Sequence, residues 1–429
     1  MLLRRMSAAR TETDKLFQLV KPEALYDRPI PERHRFIFYM GHLEAFDWNL
    51  LQSRLPGLKT FDPSLDQLFA FGIDPVGAGL PTDTTAAWPA ENRVTDYRDR
   101  IRSDMDAALI RSPAGWAGGE SPATLLNAAI EHRLMHAETL AYMLHQLPYD
   151  RKRRESQVSV AEGRRDDAGG IQIPSGPAEL GLARQDQKEF GWDNEFAPHS
   201  VHVPSFLIDR YKATNAQFLE FLEAGGYQEQ SLWTPEGWDW KQRREILHPA
   251  FWKRVDGVWW YLAMFDEIPL PLEWPVYVSH AEASAYARWA GKRLPSEAEW
   301  QRAAYGTPDG TSRPYPWGSE APRAQHGFFD FARWDPFPVH AYPETRSAFG
   351  VEGLAGSGWE WTSSAFEPFP GFLPFPFYES YSANFFDGMH PVMKGGSMRT
   401  DRSMLRPSFR NWFQPHYQYV YAGFRCAAC

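Results

Sequence analysis

Between Thr124 and Leu147 the chain carries neither glycine nor proline. Leu125, Leu126, Ala129, Leu140 and Leu144 recur there at helical intervals, which predicts a helix. On that helix His132 and His136 stand four residues apart, about one turn up the same face. Two imidazoles so placed can chelate a metal ion once a third ligand reaches them from another element. The core of a helix bundle is one setting that builds metal sites in this way, from facing helices. Taken alone, a histidine pair at this spacing is more often a surface or packing feature, so the rest of the chain has to decide.

The stretch reads Glu131-His132-Arg133-Leu134-Met135-His136-Ala137-Glu138. A zinc peptidase helix has H-E-x-x-H, with glutamate as general base; here Arg133 takes that position, which argues against peptide hydrolysis. Glu138 lies about 200° around the helix from His136, so it is placed to support a ligand or pair with a neighbouring helix rather than to ligate. His145 reads as structural.

Upstream, the segment from Thr11 onward reads as helical. Phe36 to Met40 leads into Gly41-His42-Leu43-Glu44-Ala45-Phe46-Asp47-Trp48, which reads as an amphipathic helix. Asp96 to Ile110 is a third helix, and pro-rich loops at Asp74-Pro75 and Leu80-Pro81 separate the helices. Residues 1–150 are thus expected to form a four-helix bundle. Pro148 ends the last helix, and the run Arg151-Lys152-Arg153-Arg154 opens a solvated connector over 151–170.

From residue 171 the pattern changes. Short strand signals appear at Ile171–Gly176 and His202–Ile208, and helices at Asn215–Glu223 and Ala281–Ala290. Ser296 is a helix N-cap, with Glu299 completing a capping box. The rest is rich in Gly, Trp and Pro, and no internal repeat is visible. A chain of 429 residues with 18 Trp and 35 Pro fits a second, loop-rich domain over 171–429.

The net charge of -9 and the absence of a basic run give no electrostatic reason to expect nucleic acid. No apolar run has the length of a signal peptide core or a membrane span, so no membrane partner is expected. The two cysteines, Cys426 and Cys429, exclude a disulfide framework and point to a reducing cytoplasm; as a C-x-x-C pair without a second pair they read as packing residues.

Several motifs resemble a known fold. Ala287-Arg288-Trp289-Ala290-Gly291-Lys292-Arg293-Leu294-Pro295-Ser296-Glu297-Ala298-Glu299-Trp300 is similar to the signature of formylglycine-generating enzymes (sulfatase-modifying factors). So are Gly358-Trp359-Glu360-Trp361, Gly395-Gly396-Ser397 and Ala422-Gly423-Phe424-Arg425. The resemblance implies a C-type-lectin-like fold. Formylglycine-forming activity uses a pair of active-site cysteines, which this chain lacks. The first 150 residues resemble the DinB-like bundle. The two in this order resemble the ergothioneine-synthase family of non-haem iron sulfoxide synthases, giving an α+β multidomain protein.

That resemblance implies an Fe(II) centre held by His42, His132 and His136, with Glu138 behind it, and small-molecule substrates: hercynine, a chalcogen donor and O2. It implies a substrate pocket between the two domains. Asn411 and Trp412, in Arg410-Asn411-Trp412, match the family's hercynine-binding segment. Met135 stands where the family has a Gln that bonds hercynine, and cannot replace that bond. Tyr378, in the Phe375–Tyr381 loop, is the candidate for the family's catalytic tyrosine.

Members that use γ-glutamylcysteine carry Asp and Arg where this chain has Phe413 and Tyr417. With Gln414 these residues make a neutral, aromatic donor site, better suited to a sugar than to a dipeptide with charged ends. The His132–His136 and Gly41–Trp48 stretches are most similar to the selenoneine-forming branch. The expected reaction is therefore carbon–selenium bond formation between hercynine and a selenosugar, with carbon–sulfur bond formation from cysteine or γ-glutamylcysteine as the alternative. A metal-free lectin-like binder and a DinB-type thiol transferase without O2 chemistry are the competing classes, separated by iron content and oxygen consumption.

Overall fold

The computed structural model describes residues 1–70, 84–111, 120–158, 160, 169–184 and 190–428. The Asp74-Pro75 and Leu80-Pro81 loops and Cys429 lie outside the described residues. The chain divides into two compact units, Met1–Glu155 and Ser156–Cys429. The division falls inside the stretch that the sequence reads as a connector.

The first unit is helical, with α1 (Leu2–Leu19), α2 (Phe36–Leu51), a short α3 (Pro63–Leu68), α4 (Glu91–Arg111) and α5 (Pro122–Gln146). In α5, Ser121 caps the N-terminus by accepting from Thr124 N at 3.0 Å, and Pro122 sits in the first turn, where its missing N–H costs nothing. α1 packs along α5, and α2 packs against α3, α4 and α5.

Two expectations for this unit need correction. Helix α2 is not amphipathic: all of its residues except Phe46 and Asn49 are buried, because neighbours close on it from several sides. Within the basic run, Arg153 and Arg154 are exposed as expected of a solvated connector, but Arg151 and Lys152 belong to the helical unit. Lys152 is buried and donates to the Leu144 and His145 carbonyls at 2.8 and 3.2 Å, capping the α5 C-terminus. Arg151 pairs with Asp27 at 2.8 Å.

The second unit is built from short pieces. Strands β1 (Gly170–Ile173) and β2 (Gly176–Leu180) come first, then β3 (His199–Val203) and β4 (Phe206–Asp209). The two stretches that the sequence marks as strands, Ile171–Gly176 and His202–Ile208, thus each cross a turn and touch two strands. Helices α6 (Asn215–Glu223) and α7 (Pro235–Arg243) precede a meander of β5 (Trp252–Val255), β6 (Val258–Leu262) and β7 (Glu267–Pro269). Helices α8 (His280–Trp289) and α9 (Glu297–Tyr305) follow. Strands β8 (Trp359–Ala365), β9 (Pro391–Lys394), β10 (Asn411–Trp412) and β11 (Ala422–Gly423) form one sheet in the order β10-β9-β8-β11. β12 (Ala427–Ala428) joins β4, which also pairs with β1.

Three of the sequence motifs meet at one buried carboxylate. Glu360 of β8 accepts from Arg425 at 2.6 and 2.8 Å and from Trp300 Nε1 at 3.0 Å, and Lys212 lies 3.1 Å away. Arg425 also donates to the carbonyls of Asp209, Arg210 and Glu352. With few long elements, this unit satisfies its backbone through side chains of this kind. Ser296 accepts from Glu299 N at 3.2 Å, and Glu299 returns the bond to Ser296 N at 2.8 Å, which is the capping box in place.

Candidate metal centre

His42 comes from α2, and His132 and His136 from α5. Each has a ring nitrogen within 4.8 Å of the others, and all three are buried. Among the described residues this is the group of His, Cys, Asp and Glu that could hold a metal ion. Nε2 of His132 and Nε2 of His136 are 3.2 Å apart. Two nitrogens bound to one ion at about 2.0–2.1 Å are separated by about 2.9–3.4 Å for inter-ligand angles of about 90–109°. The α5 pair is therefore already spaced as ligands.

The orientation of His42 is set from α3. Its Nδ1 donates to the Phe69 carbonyl at 2.7 Å, which leaves Nε2 as the basic nitrogen. That Nε2 is buried and has no hydrogen-bond partner among the described residues. Gly41 makes the arrangement possible: a Cβ there would collide with the Phe69 ring. Aromatic rings cover two of the ligands. Phe46 stacks on His132 with centroids 3.5 Å apart, and Phe38 stacks on His42 at 4.9 Å.

Burial holds all three imidazoles neutral. His42 is pushed down to about 4, chiefly by desolvation, although its bond to Phe69 works the other way. His132 and His136 are held well below the ordinary histidine range by desolvation, then by the neighbouring histidines. Neutral imidazole is the form that ligates a metal. Three nitrogens, one of them buried without another partner among the described residues, fit a divalent ion of the first transition row and leave positions for exogenous ligands.

Glu138 is buried on α5 and is not part of the three-nitrogen cluster, and Met135 is partly exposed one residue before His136. In the second unit Trp412 stacks on Phe366 at 4.0 Å, with Tyr381 edge-on at 5.5 Å and Phe385 at 5.6 Å. Tyr378 lies beside Tyr381 of this cluster, with ring centroids 5.4 Å apart. Asn411 is half-buried, and its Oδ1 accepts from Trp412 N at 2.9 Å. Arg410 is fixed by Glu297 at 2.9 and 3.1 Å and lies over Phe366, so it anchors the Asn411–Trp412 strand from behind. Phe413 and Tyr417 stack on each other at 4.9 Å, and Gln414 O accepts from Tyr417 N. Tyr417 is only 5% exposed, so any surface it offers a ligand is an edge.

Sequence reasoning missed Tyr381 and Phe366, which lie outside the strand that carries Trp412. It also missed Phe38 and Phe46, although these stand four residues either side of His42 and the spacing was readable.

A helical unit with a three-histidine centre, followed by a lectin-like unit, defines a protein of the ergothioneine-synthase type. The sulfatase-modifying factor enzyme 1-like domain matches residues 156–429. A hercynine oxygenase of Mycolicibacterium smegmatis is 38% identical over 316 residues, 72% of each chain. That of Mycolicibacterium thermoresistibile is 35% identical over 380 residues, 87% of this chain and 82% of the other. Ergothioneine biosynthesis protein 1 of Neurospora crassa is 25% identical over 500 residues, 95% of this chain and 55% of its own. This chain belongs to the hercynine oxygenase family, and it is an oxidoreductase. Among the described residues, no helix is long and apolar enough to cross a membrane.

Proposed function

We propose that the protein is an Fe(II)- and O2-dependent enzyme that joins the imidazole carbon of hercynine to the selenium of a selenosugar. The observation that carries the iron assignment is the convergence of three neutral, buried imidazoles, with His42 Nε2 lacking a hydrogen-bond partner among the described residues. Fe(II) held by His42, His132 and His136 would supply O2 activation. The relatives' names support hercynine as substrate.

The protein's own residues bind and orient. The oxygen of Asn411 is taken by Trp412 N, so the amide offers its NH2 as a donor, which suits the carboxylate or a bare imidazole nitrogen of hercynine. The Trp412 indole suits a trimethylammonium group through cation–π attraction. Met135 is assigned to hercynine binding through apolar contact, and Glu138 to support of the ligand helix. Tyr378 is assigned the proton-donor role. Phe413, Gln414 and Tyr417 form the donor site and present no formal charge. A dipeptide with charged ends would leave its ammonium or carboxylate unpaired there, at a cost that a neutral sugar avoids. Cytoplasmic location fits a chain with two cysteines.

The second reading is carbon–sulfur bond formation from cysteine or γ-glutamylcysteine, favoured by the relatives named for ergothioneine biosynthesis. The deciding measurement is kcat/KM for a selenosugar, a thiosugar, cysteine and γ-glutamylcysteine, under air with saturating hercynine. The selenosugar is expected to be used most efficiently. A clear preference for γ-glutamylcysteine would reject the selenium assignment and leave the sulfur one.

A further inference from the structure

Arg133 stands where a zinc peptidase helix carries its general base, yet it makes no use of that position. Its side chain is wholly buried and turned into the helical core. Nη1 and Nη2 each donate to one oxygen of Glu44, both at 3.0 Å. Nη2 also donates to the Leu43 carbonyl at 3.0 Å and to Asp47 Oδ2 at 2.7 Å. Glu44 accepts further from Arg102 of α4 at 2.7 Å, and Arg102 is forked onto Asp14 of α1 at 2.7 and 2.9 Å.

Two features of this network stand out physically. First, it is not finished as a stabilising device. Arg133 Nε and Asp47 Oδ1 are buried with no hydrogen-bond partner among the described residues. A buried ion pair with unsatisfied atoms is a poor way to gain stability, since apolar residues of similar volume commonly do as well or better. Second, its contacts are placed by register. Arg133 follows His132 directly on α5, and it grips α2 at Leu43, Glu44 and Asp47, the residues just after His42. A slide of α2 along α5 by one residue would move His42 by about 1.5 Å and break the fork. Apolar packing tolerates such a slide far better than a bidentate pair does.

We propose that the Arg133–Glu44–Asp47 network is a positioning device that fixes how far His42 reaches toward His132 and His136, and so sets metal affinity and coordination geometry. The proposal rests on the three-histidine metal reading. Arg133, Glu44 and Asp47 are positioning residues that act through the ligands.

The test separates positioning from stability in the full chain, with Co(II) as the probe. The variants are Arg133→Lys, which keeps the charge and loses the fork, and the triple Arg133→Met/Glu44→Met/Asp47→Leu, which removes the network while preserving bulk. Three readouts are needed: the Tm of the metal-free protein, the Co(II) Kd, and the visible d–d spectrum of bound Co(II). The triple variant should retain a Tm near that of wild type. Its Co(II) affinity should fall about 10- to 100-fold, the usual cost of losing a group that orients a ligand, with altered d–d bands. Should the triple variant fail to fold, Arg133→Lys is expected to bind Co(II) about 10-fold more weakly with the same spectral change. Wild-type affinity and spectrum in either folded variant would overturn the proposal. His132→Ala tests the underlying reading: Co(II) binding that survives it would remove the metal centre itself.

Discussion

In the helical unit the fully buried arginine, Arg133, neighbours a candidate ligand in sequence and faces the helix that carries another. In the second unit the fully buried arginine, Arg425, neighbours strand ends and gathers the carbonyls of three separate residues around Glu360. Both pairs are bidentate and both lie out of water. The first joins two regular elements that would each hold their backbone bonds without it. The second stands in for regular elements that the chain does not form. Losing the first should therefore disturb geometry more than folding, and losing the second should disturb folding first. The same interaction carries different consequences because the backbone around it is satisfied by different means.

The largest effect that would sharpen this contrast is at Glu360. Glu360→Gln removes the charge that Arg425 and Lys212 share, leaving two buried cations without an anionic partner. Breaking a buried pair on one side costs about 3–5 kcal/mol. The expected result is a lowered thermal or urea midpoint for the second unit, with the metal content of the helical unit unchanged. Loss of both together would mean that the units do not answer separately, and the contrast would fail.

A smaller effect follows from the neutral histidines. The folded-state pKa of His42 is depressed to about 4 from an ordinary 6.5. Its contribution to stability is complete above 6.5 and is lost as pH falls toward 4, because only the unfolded chain takes up the proton in that window. From pH 7 to pH 5 the metal-free protein should lose on the order of 2 kcal/mol through His42 alone. His132 and His136 are shifted in the same direction and add to it. Urea midpoints of the metal-free protein across this range check it. The second unit has no comparable cluster among the described residues, so its own transition should change less. A flat profile for the helical unit would mean that the histidines protonate in the folded state.

The two units also differ in how much of them could be read in advance. The α5 helix and its histidine pair follow from a Gly- and Pro-free stretch and a four-residue spacing, which are local properties. That α2 is enclosed nearly all round does not follow, because burial of Glu44 and Asp47 depends on Arg133 about 90 residues away. Lys152 within the basic run at 151–154 was misread for the same reason: it finds its partners on the end of α5. In the second unit the motifs around Trp300, Glu360 and Arg425 were visible as strings, whereas their meeting at one carboxylate is a tertiary fact. Trp412 was legible and its setting was not, since Phe366, Tyr381 and Phe385 arrive from three loop positions with no periodicity to join them.

The smallest effect concerns a feature that was fully local. Ser296 Oγ accepts from Glu299 N, and Glu299 answers at Ser296 N, so two N–H groups at the start of α9 are satisfied by residues three apart. Ser296→Ala removes one of those bonds and exposes the helix start to fraying, at a cost of about 1 kcal/mol. The helix matters beyond its length, because its first residue, Glu297, holds Arg410 immediately before Asn411 and Trp412. A frayed α9 start should therefore raise the KM for hercynine modestly, leave kcat nearly unchanged and leave Co(II) binding untouched. The measurement is steady-state kinetics beside a thermal melt. A fall in Co(II) affinity on Ser296→Ala would contradict the division of labour between the two units, since the candidate ligands His42, His132 and His136 all lie in the helical unit.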